Sequence, residues 1–311
     1  MHAGVCKRRT VMAAMAVAAA LPRRAVAQAV KWSAGEEPAS LKTPANATDC
    51  HQHIYDSRFP IDPRATLRPG DATVADYRAL QRRIGTARNV VVQPSTYGTD
   101  NRCMLDALAQ FGPAARGVAV VDTSVGDEEL HRLNAAGVCG IRFNLVQTGA
   151  TTLEMVAPLA ARVHALGWHV QVHARPTLIV ANAALWRNLP CPVVFDHMGH
   201  PPEPDGAQAA VVALLSDLAR QGRAWVKLSG AYMDSKVGPP SYADITPVAR
   251  AYIAAAPDRM VWGSDWPHPT EKTRKPDDAI LFDLLGVWAP DEAERSRILV
   301  ANPGRLYGFP A

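Results

Sequence analysis

The chain has 311 residues, 33 basic and 29 acidic side chains, and 48% hydrophobic residues, enough for one large core or two smaller ones. Five basic residues (Lys7, Arg8, Arg9, Arg23, Arg24) and no acid fall within residues 1–27, so the remainder carries 28 basic and 29 acidic residues and a formal charge of −1. The high isoelectric point is thus a property of the leader and gives no support to a nucleic-acid-binding surface.

The first element in chain order is that leader. A basic start is followed by an apolar, alanine-rich run from Val11 to Leu21, and Ala25-Val26-Ala27 and Ala27-Gln28-Ala29 are small-x-small cleavage candidates. This pattern is expected of an export signal over residues 1–27, cut between Ala27 and Ala29, with Arg8-Arg9 pointing to the twin-arginine type. The run is too short for a bilayer, which needs ~20 apolar residues. The expected location is periplasmic or secreted, with no membrane contact after cleavage. Residues 28–47 read as a polar lead-in.

From residue 48 onward short apolar runs alternate with helical patterns. The runs are 48–55, 88–95, 115–122, 138–145, 168–174, 191–198, 224–230 and 260–266. Between them "VADYRALQRRIG", "MLDALAQFG", "DEELHRLNAAG", "LEMVAPLAARVHALG" and "AAVVALLSDLARQG" repeat apolar residues at three- and four-residue spacing, each stopping at glycine. Strand–helix alternation implies parallel strands joined by helical crossovers. Eight such strands predict an α/β fold, a (β/α)8 barrel forming a single domain over 48–311. The competing open, doubly wound sheet would normally carry a glycine-rich phosphate loop after its first strand, and no G-x-G-x-x-G occurs. Cys50, Cys103, Cys139 and Cys191 include no C-x-x-C pair and are expected as free thiols in a core large enough to need no staples.

Active sites of such barrels lie at the C-terminal strand ends. Those ends are polar: His51 and His53, Gln93 and Ser95 with Tyr97 just beyond, Asp122, Arg142 and Asn144, His173, Asp196 and His197 with His200 nearby, Lys227 and Ser229, and Asp265 followed by His268. Buried charge is costly unless paired or liganded, so this convergence points to an enzyme. His51 and His53 alternate along one strand and so share a side. Arg142 is a candidate for a substrate carboxylate or for pairing with Asp122 or Asp196. Asp196 and Lys227 are read as structural.

The motifs "DCHQHIYD", "VFDHMGH", "VKLSGAY", "WGSDWPHP" and "NPGRLYGF" together resemble the amidohydrolase superfamily, in its lactonase branch, which includes 2-pyrone-4,6-dicarboxylate lactonase, sugar lactonases and galactarolactone isomerase. The resemblance spans almost all of the chain after the leader. It implies a hydrolase that opens a lactone by water attack on the carbonyl, acting on a small carboxylated or sugar-acid molecule. Isomerisation of the lactone and non-oxidative decarboxylation are the alternatives on the same barrel. A non-catalytic sugar-acid binding protein would not need the histidines and Asp265 together. By motif, Asp265, His197, His51 and His53 are the catalytic group. One divalent ion, zinc, would be held by His51, His53, His173 and Asp265; in the metal-free form the imidazoles contact the carbonyl directly. Arg142, Ser95, Tyr97, Asn144, His173 and Tyr232 are expected to contact substrate. The stretches "LVQTGATT" and "AYMDSKVG" lack the further arginines of the pyrone-dicarboxylate enzymes, which argues against a dicarboxylated pyrone; Lys236 lacks the bidentate fork of arginine. Specificity is expected in loops 56–72, 95–101, 146–152 and 232–243.

Overall fold

The computed structural model describes residues 1–2, 29–147, 149–202 and 204–310. Residues 3–28, which hold the expected export signal and its cleavage site, lie outside the described residues. Eight strands follow one another in spatial order: β1 (Thr48–Gln52), β2 (Arg88–Val92), β3 (Ala115–Ala119), β4 (Val138–Asn144), β5 (His169–His173), β6 (Val193–Phe195), β7 (Ala224–Leu228) and β8 (Met260–Trp262). Every neighbouring pair is parallel. The last strand returns to the first: the Asp265 N–H donates to the His51 carbonyl at 2.8 Å and the His53 N–H to the Trp266 carbonyl at 2.9 Å. The expected (β/α)8 barrel is therefore closed, and its closing seam runs through the residues of greatest chemical interest.

Helices fill the crossovers, among them α1 (Val74–Ile84), α2 (Arg102–Phe111), α3 (Asp127–Ala135) and α4 (Val156–His164). Their apolar faces pack on the outer wall of the strands in the main core. The start of α1 shows why its sequence folds this way: Thr73 and Asp76 form a reciprocal capping box, and Gly85 closes the helix in the left-handed conformation. A smaller apolar cluster joins Cys50, Val90, Val92, Val118, Val194 and Val261 to Tyr307 and Phe309. Arg88 and Arg116, at the strand starts, donate to the carbonyls of Pro310 and Gly308, so the C-terminal segment plugs the floor. The plug leaves the C-terminal mouth as the open end. Cys50, Cys103, Cys139 and Cys191 are free, as expected. Among the described residues no helix is long and apolar enough to cross a membrane.

Two features fix the seam. Gly263 has no side chain because a Cβ there would lie 2.6 Å from the His51 Cβ. Asp49 is wholly buried: its carboxylate accepts from the N–H of His51 (3.0 Å) and Ser264 (2.9 Å), and from the hydroxyls of Ser264 (2.6 Å) and Tyr77 (2.9 Å). Burial pushes the Asp49 carboxyl up to about 6 despite these donors. One carboxylate thus ties the backbone before His51 to the backbone before Asp265.

Candidate active site

At the C-terminal mouth, His51 Nε2 lies 3.3 Å from His53 Nε2 and 3.3 Å from Asp265 Oδ1. His53 Nε2 lies 3.5 Å and His197 Nε2 3.8 Å from that same oxygen. The far side of each imidazole is also held. His53 Nδ1 is 2.7 Å from the Val92 carbonyl, which can only accept, so Nδ1 carries the proton. His197 Nδ1 meets the Ser229 hydroxyl at 3.0 Å. His51 Nδ1 faces both Lys227 Nζ (3.1 Å) and Asp196 Oδ1 (3.2 Å). Asp265 and His197 occupy left-handed backbone at φ 63° and 50°, sparsely populated for residues other than glycine and a form of strain that clusters at functional sites.

The charges around this cluster are arranged in pairs. Burial would raise the Asp265 carboxyl, but His197, His53 and His51 hold it well below the usual carboxylate range. Burial pushes His197 down to about 4, and burial with Lys227 pushes His51 well below the usual imidazole range. Burial would also raise Asp196, yet His51, Lys227 and Arg142 hold it low. Asp196 and Lys227, 3.4 Å apart and fully buried, are thus a structural pair beneath His51, as read from sequence. The Tyr232 hydroxyl donates to Asp265 Oδ2 at 2.6 Å. Asp265 is therefore an ionised carboxylate with one oxygen taken by Tyr232 and the other aimed among imidazoles.

A cleft of about 390 Å³ opens above the cluster, with His53, His197 and Asp265 in its floor and Arg142, Ser95, Asn144 and His173 in its wall. Three sequence expectations need correction. Tyr97 does not line this cleft: its hydroxyl accepts from the Asp56 N–H at 2.8 Å, and Tyr55 takes its place at the wall. Tyr232 binds Asp265 rather than standing free for a substrate hydroxyl. His173 is not grouped with His51 and Asp265; its Nε2 turns to His200 Nε2, 3.0 Å away. Among the described residues, His51, His197 and Asp265 form a group whose donor atoms all lie within 4.8 Å of one another. The Asn144 amide is taken up by Ser95 and by the N–H groups of Val146 and Gln147, so it shapes the cleft wall. Arg142 Nε stands 3.5 Å from Asp196 Oδ2, the structural pairing considered for it, and Arg142 also lines the cleft wall. Lys236 is absent from the wall. Leu67, Ser95, Gln147 and Met233 reach the cleft from the four expected loops, and Pro269 and Thr270 from a fifth, after β8.

The donor atoms fit a metal. Four-coordinate zinc with bonds of ~2.0–2.1 Å sets neighbouring donors about 3.3 Å apart. His51 Nε2, His53 Nε2 and Asp265 Oδ1 show nearly that spacing, and His53 presents a bare Nε2 because its proton sits on Nδ1.

A parallel barrel with imidazoles and an ionised carboxylate gathered at its C-terminal mouth defines a hydrolase-type enzyme site. Residues 48–309 match the amidohydrolase family, and the chain belongs to it. It is 38% identical to a 2-pyrone-4,6-dicarboxylate hydrolase of Comamonas testosteroni, over 89% of this chain and 94% of that one. It is 33% identical to a D-galactarolactone isomerase of Agrobacterium fabrum, over 85% and 91% of the two chains. An apo crystal structure from Agrobacterium tumefaciens superposes with a TM-score of 0.82 at 32% identity, over 90% of this chain and 99% of that one.

Proposed function

We propose that this enzyme hydrolyses the ring ester of a small lactone. The observation that carries the reading is one ionised carboxylate, Asp265, with three imidazole Nε2 atoms within 3.8 Å of its Oδ1 in the floor of a cleft. Lactone opening needs a base for water and a stabiliser for the tetrahedral oxyanion. Asp265 Oδ1 takes the proton of the attacking water while Tyr232 keeps Oδ2 in place. The water oxygen bonds to the carbonyl carbon. Imidazole N–H groups of His51 and His197 donate to the developing oxyanion. The ring C–O bond then breaks, and the proton held at Asp265 passes to the leaving oxygen, giving a hydroxy acid. Arg142 orients a carboxylate or ring oxygen of the substrate from the wall.

His51 and Asp265, with His53 or His197, would hold a divalent ion, zinc by the chemistry of the donors. When bound, such an ion would polarise the carbonyl and acidify water. His173 belongs to the cleft wall in this reading.

The test is acid release, followed with a pH indicator, from a panel of sugar-acid and muconate-type lactones, with chelator-treated protein assayed with and without added zinc. Release that requires zinc makes the histidines ligands. Release without it makes them direct carbonyl contacts. No new acid in either arm, with an isomer of equal mass instead, would replace hydrolysis by isomerisation, the activity that one relative is named for. The basic, alanine-rich leader supports periplasmic or secreted placement, which cell fractionation of the full-length protein tests.

A further inference from the structure

A second cleft, open to solvent and about 630 Å³, adjoins the first and shares with it His173, Gln147, Met233 and Thr270. A substrate whose ester group sits over Asp265 would extend its substituent into this outer space. Its polar wall is chemically lopsided. Asp234 accepts from His200 Nδ1, with its oxygens at 2.9 and 3.1 Å. The other ring nitrogen of His200, Nε2, lies 3.0 Å from His173 Nε2. His173 is nine-tenths buried at the junction of the two clefts, and its Nδ1 has no partner. Glu271 adds a second carboxylate to the wall, and neither it nor Asp234 is paired with lysine or arginine among the described residues. The one cation there, Arg175, is exposed at the rim.

The two carboxylates of the outer wall, Asp234 and Glu271, outnumber its single guanidinium, Arg175, and carboxylate oxygens only accept. In the inner cleft the one arginine, Arg142, already stands 3.5 Å from the buried Asp196 carboxylate, which offsets its charge. A second anionic group on the substrate would be repelled, while hydroxyl groups would find acceptors.

We propose that the outer cleft is a hydroxyl-binding subsite, with Asp234 its specificity-determining residue oriented by His200. It selects lactones with a neutral, polyhydroxylated substituent over those bearing a second carboxylate. This rests on the lactone-hydrolase reading, and it predicts which lactones are opened.

Two measurements on the full chain test it. The first compares kcat/KM for galactono-1,4-lactone, whose ring bears a dihydroxyethyl group, and for 2-pyrone-4,6-dicarboxylate. The second is calorimetric titration with galactonate and with pyridine-2,4-dicarboxylate, probes that undergo no ring opening and read the cleft even without turnover. The expected result is a preference of at least tenfold for the hydroxylated partner in both. Asp234→Asn should shrink that preference at least tenfold, mainly through KM, and Glu271→Gln should shrink it less. Equal or tighter binding of the dicarboxylate by the native chain, or an unchanged preference in a folded Asp234→Asn variant, overturns the subsite. Selective galactonate binding with no lactone opened would sink the hydrolase reading and leave the subsite standing.

Discussion

His53 donates through Nδ1 to the Val92 carbonyl and so presents a bare Nε2 to Asp265 Oδ1, 3.5 Å away. Two lone pairs at that separation are unfavourable unless a proton, a substrate donor or a cation comes between them. The barrel strand β2 thus sets the chemistry of the residue that follows β1 without touching the substrate.

Removing that nitrogen should therefore hurt turnover more than folding. His53→Ala is expected to lower kcat/KM by about 100-fold or more, within the range lost with a general acid–base group. Steady-state kinetics check this, with near-ultraviolet circular dichroism to establish the fold. Turnover within about threefold of the native enzyme would place His53 outside the reaction.

Asp265 and Tyr232 should differ in a graded way. Asp265→Asn deletes the base and should lower kcat by about a thousandfold. Tyr232→Phe deletes only the 2.6 Å hydrogen bond to Oδ2 and should lower kcat by roughly tenfold. The hydroxyl stabilises the carboxylate, so its loss should also move the acid limb of the kcat profile to higher pH. An unshifted limb would mean that the hydroxyl acts elsewhere.

Much of this arrangement was readable from the chain. All eight strands lie where alternating apolar runs were found, and His51, His53, His197 and Asp265 do meet. Strand ends were less readable. The runs 191–198 and 260–266 shrink to Val193–Phe195 and Met260–Trp262 because His197, Met198 and Asp265 leave the ladder in left-handed backbone, which hydropathy does not record. Tyr97 and Tyr55 were indistinguishable because loop direction decides which one reaches the cleft. The role of Asp49, two residues before His51, is not legible in the sequence because its partners Ser264 and Tyr77 are distant along the chain. Asp234 and Thr270 come from loops that carry no periodic signal.

Stability should fall in acid. Burial pushes His197 down to about 4 and His169 to about 3 from 6.5, so the folded chain resists protons that the unfolded chain accepts. Stability from these groups is complete above about pH 6.5 and is lost as pH falls towards their folded values. His197 alone contributes about 2 kcal/mol of this loss between pH 6.5 and 4.5. Asp49, pushed up to about 6, works in the opposite direction between pH 3.8 and 6 and offsets part of this. Urea unfolding at pH 7 and 4.5 measures the sum. His169, whose ring nitrogens have no partner, offers a control away from the reacting cluster: His169→Leu should lose less stability on acidification. An identical pH slope in the two proteins would mean that His169 is protonated equally in both states.

Gly263 tests the seam itself. An added methyl would sit 2.6 Å from the His51 Cβ and 2.9 Å from its backbone nitrogen, and backbone on both sides is held by Asp49. Neither strand can yield without breaking the hydrogen bond between the Asp265 N–H and the His51 carbonyl. Gly263→Ala should therefore cost about 1–3 kcal/mol, as overpacking does in a close-packed interior. Because the displaced atoms belong to His51 and Gly263 itself lies two residues before Asp265, kcat should fall by about 100-fold, in keeping with an error of about 1 Å in a catalytic constellation. Denaturant titration and initial rates on the same preparation decide the point. A variant as stable and active as the native enzyme would show that the seam can open without consequence, and the joint placement of His51 and Asp265 would need another cause.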